Sequence, residues 1–340
     1  MRRVAGTDPG TSSLDLLVLE DGRVAGQARF SPEHLQADPA LPIQWLTEHG
    51  PFDLIAGPSG YGLPLIRAQE CSDRDLDLMA LVRPDERNQS QGVLKFTSLL
   101  SIFRAAPLPV VFLPGVLHLP TVPTHRKINR IDLGTTDKLC VTALALHQQA
   151  RRLQKDCSAC HCCVVELGSA FTACMVIRAG QIVDGLGGTS GPIGWRSGGA
   201  WDGELAYLLS PLRKGDLFTG GVLSHRNAED ARLLFREALV KAVASLQAVT
   251  PFEEICLSGR LLEIEPDLAA LIAADLARWG TVARLEPLLG AWVKEAAQGA
   301  ALLADGLAGG TAAALVERMA LREAQGTVLD WIAYPRGPAV

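Results

Sequence analysis

Two short segments combine an acidic residue, a glycine and hydroxyl side chains, each where a predicted strand ends. A strand that ends in this way and returns as a hairpin presents backbone N–H groups and hydroxyls around a concave turn, which suits a phosphate. The acid can hold Mg²⁺ through water, because this ion dehydrates reluctantly. The first segment contributes Asp8, Gly10, Thr11, Ser12 and Ser13, and the second contributes Glu166, Gly168, Ser169 and Thr172. We therefore expect two phosphate loops that face each other across a cleft and bind a nucleoside triphosphate.

The elements that position these segments occur twice along the chain. Runs of β-branched and aliphatic residues predict three strands in each half, with Asp21-Gly22 and Ala179-Gly180 as the hairpin turns. The segments PFDLIAGPSG (51–60) and PFEEICLSGR (251–260) are near repeats, each placing Ser-Gly just after a strand. The chain therefore reads as two copies of a β-β-β-α-β-α unit. The predicted strands are Val4–Thr7, Leu14–Glu20 and Arg23–Phe30, then Cys162–Leu167, Phe171–Arg178 and Gln181–Gly185.

Helical periodicity and composition divide the chain into two predicted domains. The domains are 1–136, joined by a C-terminal helix at about 309–340, and 137–308. The stretch Pro58–Pro109 lacks clear periodicity and is predicted to be an insertion around the first domain. Thr136 is the predicted N-cap of a helix that bridges the halves. The predicted helices are Asp137–Leu153, Ala228–Ala248, Pro266–Trp279, Trp292–Leu307 and Thr311–Ala324.

The composition of the 340-residue chain indicates an ordinary globular protein, with 48% hydrophobic and 20% charged residues. The net charge is -5 and the basic residues are scattered, so the electrostatic footprint of a nucleic-acid binder is missing. The most apolar long stretch, Pro107–Val122, is interrupted by prolines and does not read as a membrane span. Met1 leads within a few residues into a strand, not into a secretory signal. We expect a cytoplasmic protein with eight mostly reduced cysteines.

In these motifs and their order, the sequence resembles the actin, sugar kinase and Hsp70 superfamily. Asp8-x-Gly10-Thr11 matches its first phosphate motif, and Glu166-x-Gly168 matches its second, with Glu for the usual Asp. The small-residue stretch Glu295–Gly306 is similar to its C-terminal helix. The adenosine motif is matched in position, with one glycine where two are common, by Ser258, Gly259 and Arg260. The resemblance implies an α/β fold of two duplicated ribonuclease-H-like domains, the actin-like ATPase fold, which clamp Mg-ATP in an interdomain cleft.

Two stretches are most similar to acetate and butyrate kinases. The loop Asp8–Ser13 is closer to their Asn-Pro-Gly-Ser-Thr-Ser loop than to the Gly-Gly loops of hexokinases. Gly191–Gly198 resembles their Gly-Pro…Arg-Ser-Gly segment, whose arginine contacts the transferring phosphoryl group. This makes Arg196 the predicted catalytic arginine, since a planar guanidinium suits a phosphoryl group with spread charge. The overall resemblance is closest to an uncharacterised family of predicted butyrate kinases.

The resemblance also implies where the acceptor would bind. The stretch 124–138 is similar to the segment that leads into the interdomain helix of carboxylate kinases, so Arg126 and Arg130 are expected to face the substrate. Ser59 and Tyr61 follow a strand and are expected to border the acceptor site, although a Gly- and Pro-built turn explains them nearly as well. Trp195 either lines an acyl pocket or anchors its loop.

Three residues depart from the pattern of these kinases. Glu166 stands where acetate and butyrate kinases have a histidine, and Asp15 takes the place of a lysine or other residue. Leu113 lies about where acetate kinases carry a catalytic aspartate. Phosphoryl transfer depends mainly on positioning and electrostatics, so the reaction type survives these changes. The identity of the acyl acceptor is what they put in question.

The implied reaction is in-line transfer of the ATP γ-phosphoryl group to a small-molecule oxygen, with a short-chain carboxylate favoured. Asp8 and Glu166 would hold Mg²⁺, Arg196 would stabilise transition-state charge, and Gly259 would admit the adenine. A carboxylate is already ionised at neutral pH and needs no general base. An alcohol acceptor would need one, for which Asp202 is the nearest candidate.

Other readings stay open at this stage. The chain is alternatively an ATPase or nucleotide-gated regulator that acts on a protein partner, or a pseudo-kinase that binds nucleotide without transfer. The cluster Cys157–Cys163 has Cys-x-x-Cys spacing, but no second pair completes a zinc site, and Cys162 and Cys163 are expected to point to opposite faces of a strand. The oligomeric state is undecided, with a homodimer left open.

Overall fold

The computed structural model describes residues 1–86 and 96–334, and its strands form two mixed sheets. The first sheet contains β1 (Arg3–Pro9), β2 (Leu14–Glu20), β3 (Arg23–Phe30), β4 (Leu54–Ala56), β5 (Ile66–Arg67) and β6 (Val110–Phe112). The second contains β7 (Cys162–Leu167), β8 (Thr172–Arg178), β9 (Gln181–Leu186), β10 (Glu254–Ser258) and β11 (Thr281–Arg284). Their orders are β3-β2-β1-β4-β6-β5 and β11-β10-β7-β8-β9.

The two sheets repeat one topology. In each, an antiparallel three-stranded meander is extended by two parallel strands, β4 and β6 beside β1, and β10 and β11 beside β7. Both meanders turn through two residues of positive φ, Asp21 and Gly22 at 48° and 76°, and Ala179 and Gly180 at 51° and 72°. Such turns match the twist of hairpin strands. The predicted duplication is therefore confirmed, with β5 as an additional edge strand.

Helices pack on both sheets and between them. The described helices are α1 (Pro32–Ala37), α2 (Leu41–His49), α3 (Asp73–Ala80), α4 (Phe96–Ala105), α5 (Thr124–Lys127), α6 (Thr136–Leu153), α7 (Gly203–Leu209), α8 (Ala228–Val249), α9 (Leu261–Ile264), α10 (Pro266–Leu276), α11 (Glu295–Leu307) and α12 (Ala313–Arg318). Among the described residues, no helix combines the length and the apolar character needed to cross a membrane.

The helices α6 and α11 pack against each other between the two halves, and α11 also packs on β1, β2 and β4 of the first sheet. This close packing depends on small residues. A β-carbon at Gly299 would collide with the carbonyl of Cys140, and one at Gly6 would collide with the α11 backbone at Ala301. The crossing of these two helices fixes where their N-terminal ends lie, and both ends border the cleft described below.

Several predicted boundaries differ from the structure. Thr135, rather than Thr136, is the N-cap of α6, and α11 begins at Glu295 instead of Trp292. The predicted helix Thr311–Ala324 is broken, because Ala320 adopts the left-handed conformation with φ 52°. The predicted insertion contains α3 and α4, while its residues 87–95 and the final residues 335–340 lie outside the described part. The domain boundaries stay a prediction.

Candidate functional site

A cleft of about 770 Å³ lies between the two sheets and is lined by residues of both halves. The turn from β1 to β2 and the turn from β7 to β8 face each other there; we call them the first corner (Asp8–Ser13) and the second corner (Glu166–Phe171). The N-terminal ends of α6 and α11 also line the cleft. The predicted site residues that line it are Asp8, Gly10, Thr11, Ser12, Ser59, Tyr61, Glu166, Gly168, Ser169, Gly259 and Arg260.

The two corners have the same backbone design. Gly10 N donates to Ser13 O at 3.0 Å, and Gly168 N donates to Phe171 O at 3.0 Å. The acid of each corner lies two residues before its glycine, so Asp8 and Glu166 occupy equivalent positions. The corners meet across the cleft, where the hydroxyl oxygens of Thr11 and Ser169 are 3.2 Å apart. Each corner thus presents a carboxylate, a glycine and a hydroxyl to one shared space.

Each acid has a lysine that sequence reasoning missed. Lys294, the N-cap residue of α11, places its Nζ 3.5 Å from Asp8 Oδ2 and 3.1 Å from Ser13 O. This amine lies so close to the first corner that a β-carbon at Gly10 would collide with it. Lys138, in the first turn of α6, pairs with Glu166 and lies 2.6 Å from Asp137 Oδ2. No sequence motif marks these lysines, because each comes from a helix end far along the chain.

Burial and these lysines together set the protonation of the acids. Burial raises the pKa of Asp8 to about 6, against the opposing effect of Lys294. Burial likewise raises the pKa of Glu166 to about 7, although Lys138 opposes it and the charge of Asp137 adds to it. Burial also opposes ionisation of Asp137, but there Lys138 outweighs it and the pKa is lowered. Asp8 and Glu166 therefore become mostly ionised only above about pH 6 and about pH 7, respectively.

Asp15 connects the first corner to β3 and α11 by accepting hydrogen bonds from three residues. Its buried carboxylate accepts hydrogen bonds from Arg29 at 2.7 Å, from Ser13 Oγ at 2.6 Å and from the backbone N of Lys294 at 3.0 Å. Burial alone would raise the pKa of Asp15, but these donors outweigh it, so the pKa of Asp15 is lowered. The hydroxyl of Ser13 thus donates to Asp15, and Ser13 does not line the cleft with the other predicted phosphate-binding residues.

Two of the three residues of the adenosine motif, Gly259 and Arg260, border the cleft. Gly259 has φ 102°, and a β-carbon there would also collide with Leu167 O, so a glycine is required at this strand end. Arg260 is exposed and lines the cleft. The Ser258 side chain is buried, and its hydroxyl has no hydrogen-bond partner among the described residues. Thr172, the first residue of β8, is likewise buried, and its hydroxyl has no partner among the described residues. Neither Ser258 nor Thr172 faces the cleft.

The loop with the predicted catalytic arginine lies against the second corner but outside the cleft. Arg196 N donates to Ala170 O at 3.1 Å, whereas its side chain is exposed and does not line the cleft. Trp195 is buried in the core of the second half, with its ring 6.1 Å from that of Phe235. Trp195 therefore anchors the loop, which is the second of its two expected roles.

Three further predicted substrate residues lie outside the cleft. Arg126 donates to Val183 O at 2.8 Å and lies 3.3 Å from Asp184, which ties it to β9. Arg130 is exposed. Asp202 caps α7, accepting from the backbone N of Glu204 at 2.9 Å. None of the three is in position to contact a substrate in this cleft, because their side chains are committed elsewhere or lie on the surface.

At the other end of the cleft, polar groups are surrounded by apolar side chains. Ser59 Oγ donates to Gly57 O and accepts from Leu113 N, both at 2.9 Å, so its hydroxyl is used within the fold. Tyr61 OH accepts a hydrogen bond from Lys214 Nζ at 3.1 Å. Asp132 is buried and accepts from the backbone N and the hydroxyl of Thr189, each at 3.0 Å. Lys214 and Asp132 were not expected from the sequence.

The cysteine cluster is part of the core. Cys162 packs between the second sheet and α6, whereas Cys163 packs on the opposite face toward α8, which confirms that they point to opposite faces. The described cysteines are all free thiols. Within residues 1–86 and 96–334, no group of three or more His, Cys, Asp or Glu side chains is arranged to hold a metal ion.

Solved structures with a similar fold include acetate kinases. Acetate kinase from Entamoeba histolytica matches with a TM-score of 0.57 and 13% identity, covering 81% of this chain and 86% of that one. Acetate kinase from Porphyromonas gingivalis matches with a TM-score of 0.54 and 14% identity, covering 82% and 88%. A ROK family glucokinase from Streptomyces griseus, in complex with glucose and AMPPNP, has a TM-score of 0.46 at 14% identity, covering 89% and 99%.

These comparisons settle the fold and the family. The acetate kinase matches confirm the expected fold class, the two-domain actin-like ATPase fold. A comparison with curated proteins gave no match. A sequence profile with the description "Protein of unknown function (DUF1464)" matches residues 6–334, so the chain belongs to the DUF1464 family.

Proposed function

We propose that this protein is an ATP-dependent phosphotransferase that uses a short-chain carboxylate as acceptor. The observation that carries the proposal is the pair of equivalent corners, whose hydroxyls at Thr11 and Ser169 meet at 3.2 Å across one cleft. Backbone N–H groups, hydroxyls and lysines that converge from two sides are suited to a chain of phosphates. The likeness to acetate kinases adds support from the fold.

In this proposal, the first corner and Lys294 bind phosphate oxygens, because an amine beside N–H groups is a strong anion site. The strand end at Gly259 is left for the nucleoside. Asp8 and Glu166 would hold Mg²⁺, whose contribution is to neutralise charge on the phosphates. Two carboxylates fit this ion, since Mg²⁺ usually keeps several waters and takes the rest of its ligands from substrate phosphates.

The acceptor attacks from the end of the cleft that contains Tyr61 and Lys214. A carboxylate oxygen forms the new P–O bond as the bond between the γ-phosphorus and the β,γ-bridging oxygen breaks, which yields an acyl phosphate and ADP. No proton has to be removed from an ionised carboxylate. The alcohol-acceptor alternative loses its predicted base, because Asp202 caps α7 outside the cleft.

The test is ADP release from Mg-ATP by the full chain, alone and with acetate, butyrate, hexanoate, glucose or glycerol. We expect release that depends on a carboxylate and falls at least about tenfold in Asp8→Asn, with Asp267→Asn on the exposed face of α10 as the matched control. Nucleotide binding without turnover by any acceptor would contradict the proposal and favour a nucleotide-gated regulator with a protein partner.

A further inference from the structure

The cleft contains a charged group that the phosphate chemistry leaves without a role, the amine of Lys214. Lys138 and Lys294 both pair with carboxylates. By contrast, no carboxylate oxygen in the described part of the chain lies within 4.0 Å of Lys214 Nζ. The amine donates to Tyr61 OH at 3.1 Å and lies 4.5 Å from the centre of the Tyr61 ring.

The position of this amine is built into the fold. Lys214 begins a short 3-10 helix, Lys214–Phe218, and its backbone N donates to the buried carboxylate of Glu86 at 2.9 Å. Burial lowers the pKa of Lys214 to about 8, with Asp132 and Glu86 as the nearby charges that oppose this. Lys214 is thus still largely an ammonium at neutral pH. A partly desolvated ammonium that lines a cavity and has no carboxylate oxygen within ion-pair distance favours an anionic ligand.

The surroundings of Lys214 indicate what kind of anion would fit. Apolar side chains line the same part of the cleft, and an aromatic pair, Phe171 and Phe218, has ring centres 4.9 Å apart. Tyr61, which accepts the hydrogen bond from Lys214, lines the same cleft as Asp137 and Lys138 of the phosphate end. The apolar lining residues at this end are Met79, Val82, Phe96, Leu217 and Phe218.

We propose that Lys214 and Tyr61 form the acceptor subsite and bind the carboxylate of a monocarboxylate whose apolar chain packs on Met79, Val82 and Phe218. This rests on the proposed function and deepens it by naming the substrate class and the residues that select it. One carboxylate oxygen is held by the Lys214 ammonium and the Tyr61 hydroxyl, while the other is free to attack the γ-phosphorus. Chains longer than acetate bury more apolar surface and bind more tightly.

The experiment measures two quantities separately for the wild type and Lys214→Met: equilibrium binding of AMPPNP with Mg²⁺, and equilibrium binding of acetate, butyrate and hexanoate in its presence. Loss of a charged hydrogen bond predicts that butyrate binding weakens about 10- to 100-fold in Lys214→Met, with AMPPNP affinity unchanged. Lys214→Arg restores part of the binding, and Tyr61→Phe gives a smaller loss. Lys241→Met, on the exposed face of α8, is the matched control.

The outcomes separate this inference from the proposed function. If Lys214→Met and the wild type bind butyrate with equal affinity, the assignment of Lys214 to the acceptor subsite is wrong. The assignment is also wrong if the wild type binds no monocarboxylate. Equal affinities for acetate and hexanoate overturn the apolar-chain assignment. A wild type that does not bind AMPPNP overturns the proposed phosphotransferase instead. If Lys214→Met fails to fold, Tyr61→Phe and Lys214→Arg carry the same comparison.

Discussion

The first and second corners close with the same backbone hydrogen bond but balance their charges differently. At the first corner, the acids Asp8 and Asp15 are matched by Lys294 and Arg29. At the second corner, Glu166 and Asp137 share Lys138, and no other cation of the described residues pairs with either of them. The second corner thus has one more acid than base. Burial raises the pKa of both Asp8 and Glu166, and the charge of Asp137 raises each of them further.

The comparison also shows how the halves depend on each other. Lys138 comes from α6, which follows the first half, yet it pairs with Glu166 of the second half. Lys294 comes from the start of α11, which follows the second half, yet it pairs with Asp8 of the first half. Each corner therefore takes its cation from the end of one of the two helices that pack between the halves. The packing of α6 on α11 sets both distances at once.

The largest effect is expected from removing the shared cation of the second corner. Lys138→Met leaves Glu166 and the partly exposed Asp137 without a counter-ion and should lower the free energy of unfolding by about 3 kcal/mol, the low end for a buried pair. Urea unfolding at pH 7 measures this, with Lys241→Met as a control that should change it by less than about 0.5 kcal/mol. A loss no larger than that of the control would mean that Glu166 and Asp137 do not depend on this lysine.

The pH dependence of stability should come next in size. The pKa of both Asp8 and Glu166 is raised in the folded state, so their contribution is fully present below pH 4 and is lost as pH rises through about 6 and about 7. A shift of about two pKa units corresponds to on the order of 3 kcal/mol. Glu166→Gln mimics the protonated acid, so its stability relative to the wild type should increase between pH 4.5 and pH 7.5. A constant difference across that range would show that folding does not raise the pKa of Glu166.

The helix crossing can be tested apart from the charges. Gly299→Ala places a methyl group against the carbonyl of Cys140 and should cost about 1–3 kcal/mol. Gly203→Ala, at a glycine with nothing within 4 Å of the added carbon, is the matched control and should be close to neutral. Unfolding by urea compares the two. Equal stabilities would mean that α6 and α11 can separate without loss.

The smallest stability effect is expected at the first corner. Lys294→Met leaves Asp8 without its cation, but Asp15 keeps Arg29, so the loss should be about 1–2 kcal/mol. The same urea titrations, run beside Lys138→Met, give the difference between the corners. A loss from Lys294→Met that equals or exceeds that from Lys138→Met would contradict the charge comparison.

The parts of the fold that depend on local pattern were predictable from the sequence. The strands Leu14–Glu20, Arg23–Phe30 and Cys162–Leu167 have the predicted bounds, because turn residues flank each of them and the first and third are largely apolar. The duplication of the two halves is predictable because the same order of strands and turn residues occurs twice in the sequence. The end of the C-terminal helix was not predictable, because an alanine gives no sign in the sequence that it will adopt the left-handed conformation seen at Ala320.

The candidate site was predictable only where its residues lie in one short motif. Both corners were found from an acid, a glycine and hydroxyls in close succession. Lys138, Lys294 and Lys214 were missed because their roles arise from tertiary packing between distant segments. Arg126 and Asp202 have residue types that suit catalysis, but in the fold they pair with Asp184 and with the α7 backbone, which the sequence does not reveal.

The most direct test of the account is whether both corners bind the same nucleotide. Equilibrium affinity for AMPPNP with Mg²⁺ is measured for the wild type, Thr11→Val, Ser169→Ala and the double variant. We expect each single change to weaken binding about three- to tenfold, and the two effects to be non-additive because the hydroxyls touch. Weakened binding in only one of the two single variants would contradict a phosphate clamp shared by the halves.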